Sequence, residues 1–186
     1  MRLRQLYESS RVAVTAFGRF NPPTIGHAKL AEKIRSFGGD HYIFLSHRND
    51  SEDNPLDFKT KQYFMKNAFP DITIGNKSVK TLFQMMDHLR NIGYTDVILV
   101  TGGDRVEDFK ESLRDYTGFN SIKIVNAGDR DPKANDITGV EASDARKYVI
   151  NGDFARFQKI VPFEPHMARK LYQKLKQRLT PGEHHG

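Results

Sequence analysis

Val12-Ala13-Val14-Thr15-Ala16-Phe17-Gly18-Arg19-Phe20-Asn21-Pro22-Pro23-Thr24-Ile25-Gly26-His27 is the stretch that decides how this chain folds. Its first six residues form a short apolar run bounded by a turn signal, which reads as a buried strand. Gly18 and the Pro22-Pro23 pair end that run. From Gly26 to Arg35 the apolar residues Ala28, Leu30, Ala31 and Ile34 then recur at helical spacing. A strand, a Gly/Pro turn and a helix start together make a phosphate-ready junction. The turn lets backbone N–H groups approach a ligand, and the helix N-terminus adds the positive end of its dipole. Thr24 and His27 stand three residues apart across the helix start, so both can face one ligand.

Outward from this junction the chain alternates. Strands are predicted at Tyr42–Leu45, Ile72–Ile74, Val97–Val100 and Ile122–Val125. Helices are predicted over Phe58–Ala68, Thr81–Ile92, Val106–Arg114, near Ser143–Asn151, and over Phe154–Ile160 and Pro165–Leu179. Pro165 is a favoured first-turn residue, and Met167, Leu171, Leu175 and Leu179 make one apolar stripe. Polar loops lie at 48–57 and 126–139. The pattern predicts a parallel sheet covered on both faces, with ligands beyond the carboxyl ends of its strands. Two Gly-rich turns, at Gly18 and at Gly102-Gly103, fall at such ends.

Length and composition bound the chemistry. The 186 residues suit one domain over 11–180, with a lead-in over 1–10 and a tail over 181–186. With no cysteine there is no disulfide, thiolate nucleophile or Cys-based zinc site. No apolar run matches a membrane span and no signal-peptide core is present, so a cytoplasmic setting is expected and a membrane partner is not. The 29 basic and 23 acidic residues leave a net charge of +6, which suits an anionic partner. His41, His47, His88 and His166 show no metal-ligand spacing.

The residues Gly18-Arg19-Phe20-Asn21-Pro22 and Thr24-Ile25-Gly26-His27 resemble the signature of the nucleotidyltransferase superfamily, whose members carry H/T-x-G-H after the first strand. The form beginning G-R-F is similar to archaeal-type nicotinamide-nucleotide adenylyltransferases and to phage-encoded cytidylyltransferase-like proteins. The resemblance recurs at Gly102-Gly103-Asp104-Arg105, and again at Gly139-Val140-Glu141-Ala142-Ser143-Asp144-Ala145-Arg146, where such enzymes carry an S-x-T-x-x-R helix start. It implies an α/β fold: a Rossmann-like parallel sheet of about five strands, with helices on both faces and a helical C-terminus. It also implies transfer of an NMP, first AMP from ATP, to a phosphorylated small-molecule acceptor with release of pyrophosphate. Nicotinamide mononucleotide is the first acceptor, giving NAD. A cytidylyltransferase forming a CDP-activated alcohol or sugar is the near alternative, and a non-catalytic nucleotide- or nucleic-acid-binding module is the rival from another class. Nucleic acid is not the expected partner; a homo-oligomer is compatible with the sequence.

The same resemblance assigns residues. His27, Thr24 and Arg146 would be catalytic: His27 and Thr24 as hydrogen-bond donors to the phosphates, Arg146 on the β- and γ-phosphates. Gly18, Arg19, Phe20, Gly26, Ser143 and Arg130 would bind nucleotide or phosphate, and Gly102, Gly103 and Asp104 the acceptor or a ribose. Mg2+ would arrive with the triphosphate rather than in a protein cage. Each residue has a plainer reading. A lone His is commonly a capping or surface group, and Arg19 suits a solvated strand end. Asp104 suits a helix N-cap, and Arg130 with Asp131 suits a turn with a local ion pair. Arg146 reads as a first-turn cation, an unfavourable place without an anion nearby. Glu141 departs from the usual Ser. His47 follows the second strand and is placed at the cleft. Lys59 and Lys61 read as a solvated helix face, and the basic residues of the last helix suit its C-terminal dipole.

Overall fold

A computed structural model describes residues 9–50, 52–128 and 142–180. Arg130, Asp131 and Glu141, assigned above, lie outside the described residues. The strands are β1 (Val12–Gly18), β2 (Asp40–Leu45), β3 (Thr73–Ile74), β4 (Asp96–Thr101) and β5 (Ser121–Asn126). The helices are α1 (Ile25–Arg35), α2 (Phe58–Ala68), α3 (Leu82–Asn91), α4 (Val106–Leu113), α5 (Ala142–Ile150), α6 (Phe154–Ile160) and α7 (Pro165–Leu179). A 3-10 turn, Gly103–Arg105, joins β4 to α4.

The five strands pair in parallel in the order β3-β2-β1-β4-β5. From β1 the chain first builds outward through β2 and β3, then returns to β4 on the other side of β1. That reversal leaves a crevice beyond the carboxyl ends of β1 and β4, where Gly18 and Thr101 sit. The predicted sheet is therefore the observed one. β2 starts at Asp40, two residues before its apolar run, because Asp40 already pairs with Ala13.

Side chains on β1 alternate across the sheet, as the two-residue period of a strand requires. Val14 and Ala16 pack with Ala31 and Ile34 of α1 and Met65 of α2. Ala13 packs on the opposite face with Met85, Met86 and Leu89 of α3 and Phe109 of α4. A third apolar cluster joins α5, α6 and α7 through Val149, Phe157, Leu171 and Leu175, and seats them on Leu56 and Phe64. Burial of each large side chain there contributes about 1.5–3 kcal/mol. This third cluster holds α5 at the crevice. Among the described residues no helix is long and apolar enough to cross a membrane.

Candidate active site

The turn after β1 is tightly built. Phe20 adopts φ 47°, a left-handed conformation rare for a bulky residue. Its ring is buried, and a Cβ at Gly18 would lie 2.9 Å from it, so glycine is required there. The ring also packs against His27, with centroids 4.7 Å apart. Phe20 was expected to bind nucleotide; its ring packs into the core, and the residue also lines the first of the two cavities at the crevice.

His27 is held from behind. The backbone N–H of Thr24 donates to its Nδ1 at 2.9 Å, and Thr24 Oγ1 lies 3.2 Å from the same nitrogen. An amide N–H can only donate, so Nδ1 is the acceptor and the neutral ring carries its proton on Nε2. Thr24 is itself 1% exposed and stands at the N-cap of α1, whose first turn contains no acidic residue. The N-terminal dipole of α1 is thus left for an anion.

Two adjoining cavities open at the crevice. The first, about 200 Å³, is lined by Gly18, Arg19, Thr24, Gly26 and His27 from the β1–α1 junction. Gly102 and Asp104 line it from the end of β4, and Ser143 and Arg146 from α5. Three segments far apart in sequence therefore meet in one cavity. Gly103 does not line it. Asp104 is not a helix N-cap, because it sits inside the 3-10 turn that Gly102 caps. Arg146 begins the second turn of α5, not the first, since the helix starts at Ala142.

The side chain of Arg146 is 14% exposed and its guanidinium is doubly bound. Nη1 donates to the Asn21 carbonyl and Nη2 to Asp53 Oδ1, both at 2.9 Å. Asn21 is a residue that reasoning from sequence passed over. Its buried carboxamide donates to the Leu56 carbonyl at 3.1 Å and accepts from the Leu56 N–H at 2.9 Å. One residue thus ties the β1 turn to the segment before α2 and to α5.

The second cavity, about 990 Å³, shares Gly18, Arg19, Asp104 and Arg105 with the first. It extends past the end of β2 along His47, Arg48 and Lys80. The expected place of His47 at the cleft agrees with this lining. Its ring stacks on Phe58 with centroids 4.3 Å apart, and Nε2 is buried without a partner. Burial, reinforced by Lys80 and Lys61, pushes its pKa below the ordinary value.

Lys61 corrects the solvated reading. Lys59 is exposed, but Lys61 is completely buried, and its Nζ donates to the Ser46 carbonyl at the end of β2. The signal was present in the spacing, because Lys61 shares its helix face with Phe58, Met65 and Ala68. Burial lowers its pKa from 10.5 to about 8, with Asp57 opposing. The unfolded chain then binds more protons than the native one between pH 8 and 10.5, so this group makes stability rise with pH across that window. The cost of burying the charge is fully present below pH 8. Urea unfolding of wild type and Lys61→Met at pH 7 and pH 10 checks this. The wild type should gain on the order of 2 kcal/mol more than the variant over that interval; equal gains would refute the assignment.

A family model described as cytidylyltransferase-like matches residues 15–148. The chain belongs to that family. Nucleotidyltransferases of this kind are also what its fold is similar to. A nicotinic acid mononucleotide adenylyltransferase from Plasmodium falciparum, complexed with NaAD, superposes with a TM-score of 0.59 at 16% identity, over 88% of this chain and 95% of that one. A bifunctional NMN adenylyltransferase/ADP ribose pyrophosphatase from Francisella tularensis, complexed with AMP and Mn ion, gives 0.57 at 14% identity, over 90% of this chain and 52% of that one. A search of curated proteins finds no match. Within this cytidylyltransferase-like chain no three His, Asp or Glu side chains among the described residues converge to hold a metal ion.

Proposed function

We propose that the protein transfers the adenylyl group of ATP to the phosphate of a mononucleotide, nicotinamide or nicotinic acid mononucleotide, releasing pyrophosphate. The observation that carries this reading is the first cavity, where the N-terminus of α1, the Nε2–H of His27 and the guanidinium of Arg146 converge. Each is a donor or a positive charge, and together they suit a polyphosphate. The larger second cavity adjoins it and supplies room for an acceptor.

An oxygen of the acceptor phosphate attacks the α-phosphorus while the bond from that phosphorus to the bridging oxygen breaks, and pyrophosphate leaves with the electron pair. The nucleophile is already anionic, so no base is needed to activate it. Catalysis rests on alignment and on neutralising charge as it moves to the leaving group. His27 would donate to a phosphate oxygen, and Arg146 would hold the terminal phosphates. Thr24, whose hydroxyl faces His27 Nδ1, would position the imidazole rather than touch phosphate itself. A divalent cation such as Mg2+ would be held mainly by the phosphates and would offset their charge, with Asp104 left to the acceptor or a ribose. Ser143 and Arg19 would add contacts at the rim.

The family description favours one second reading, a CTP-dependent transfer to a phosphorylated alcohol or sugar. The test is pyrophosphate release with Mg2+, each nucleoside triphosphate and a panel of acceptors. Turnover is expected with ATP and one of the two mononucleotides; turnover with CTP alone would select the second reading. No turnover with any acceptor, together with tight, salt-sensitive binding of DNA or RNA, would overturn both.

A further inference from the structure

Asp53 places a negative charge in the first cavity directly on the cation proposed to hold a polyphosphate. It lines that cavity together with Arg146 and Asp104. Its side chain is 74% exposed, whereas that of Arg146 is 14% exposed. Arg146 is therefore fixed on one side by the buried Asn21 carbonyl and capped on the other by a solvated carboxylate. The two bonds differ in kind. The Asn21 contact belongs to a turn clamped to Leu56 and cannot leave without undoing that clamp. The Asp53 contact is an exposed ion pair of the sort that contributes little to stability and is readily exchanged.

We propose that Asp53 is a displaceable counter-ion for Arg146, surrendered to the triphosphate when the nucleotide donor binds, so that it sets the affinity of the site for polyphosphate. This rests on the reading of the first cavity as a triphosphate site. Without an anion, Asp53 occupies the side of the guanidinium that the Asn21 carbonyl leaves open. With a triphosphate in place, several negative oxygens compete for the same N–H groups and outweigh one carboxylate. Asp53 holds the arginine fork in its working orientation in the meantime. Each binding event then bears the loss of one exposed ion pair.

The test uses the intact chain, Mg2+ and inorganic tripolyphosphate, a probe that reports the phosphate site without regard to the base. Affinities are measured by calorimetry at fixed ionic strength for wild type, Asp53→Asn, Asp53→Glu and Arg146→Ala. Asp53→Asn retains an acceptor oxygen but no charge, and should bind about two- to five-fold more tightly, the range set by one exposed ion pair. Asp53→Glu should stay near wild type. In turnover with the active nucleotide, Asp53→Asn should lower KM while kcat changes less than two-fold, a split that a merely structural role would not produce. If Arg146→Ala weakens binding but Asp53→Asn leaves it unchanged or weaker, the counter-ion role is overturned and the triphosphate reading stands. If Arg146→Ala has no effect, both fall.

Discussion

Turnover by the His27→Ala protein is expected to fall about 10²- to 10³-fold, the loss typical for one hydrogen-bond donor aimed at developing negative charge. The effect should appear mainly in kcat, because the leaving pyrophosphate gains charge in the transition state and the bound ground state does not. Nδ1 is committed to the Thr24 N–H, so Nε2–H is the group whose loss is felt. The fold should survive, since His27 is half-buried and the apolar clusters of the sheet do not contain it. Single-turnover rates with saturating nucleotide, alongside melting curves for both proteins, make the comparison. Activity within a few-fold of wild type would remove His27 from the chemistry.

The second large effect is on stability. Asn21→Ala deletes a carboxamide that satisfies both backbone groups of Leu56, at a site where Asn21 is 1% and Leu56 2% exposed. Neither the N–H nor the carbonyl of Leu56 then has its partner, and each orphaned group costs about 1–3 kcal/mol. A net loss of roughly 2–4 kcal/mol follows, or a fall in melting temperature of roughly 5–15 °C for a chain of this size. Leu56 also seats the third apolar cluster. Disturbing it should loosen α5, so affinity for the donor nucleotide should fall even at temperatures where the variant is folded. A melting temperature within about 2 °C of wild type would show that water replaces the amide without penalty.

The sheet was legible because each of its longer strands is an apolar run bounded by Gly, Pro or charged residues, and because strands and helices alternate throughout. Local rules sufficed for Val97–Val100 and for the stripe of α7. The junction around His27 was legible for the same reason: its residues are neighbours in sequence. What stayed hidden depends on distance along the chain. Asn21 meets Leu56 across 35 positions, and Arg146 meets Asp53 across 93. No pattern at either end announces such a pair, because a polar side chain in a loop reads the same whether it meets water or a buried amide. The packing of Phe20 was hidden for a related reason. A motif names positions, and only the left-handed turn at Phe20 shows that its ring points back into the core. Lys61 was different, since its helical spacing did mark it as inward, and residue type was allowed to outweigh periodicity.

The attachment of α5 through the third apolar cluster has a consequence for how the protein comes into being. Everything from β1 to β5 is synthesised before residue 127, and includes His27, the Gly102 turn and the floor of both cavities. Ser143 and Arg146 come later, and α5 is held in place by Leu171 and Leu175, which emerge later still. A chain growing from its N-terminus therefore completes the sheet and its turns well before Ser143 and Arg146 join the cavity they line. α5 takes its place beside the crevice only once Leu171 and Leu175 of α7 are there to hold it.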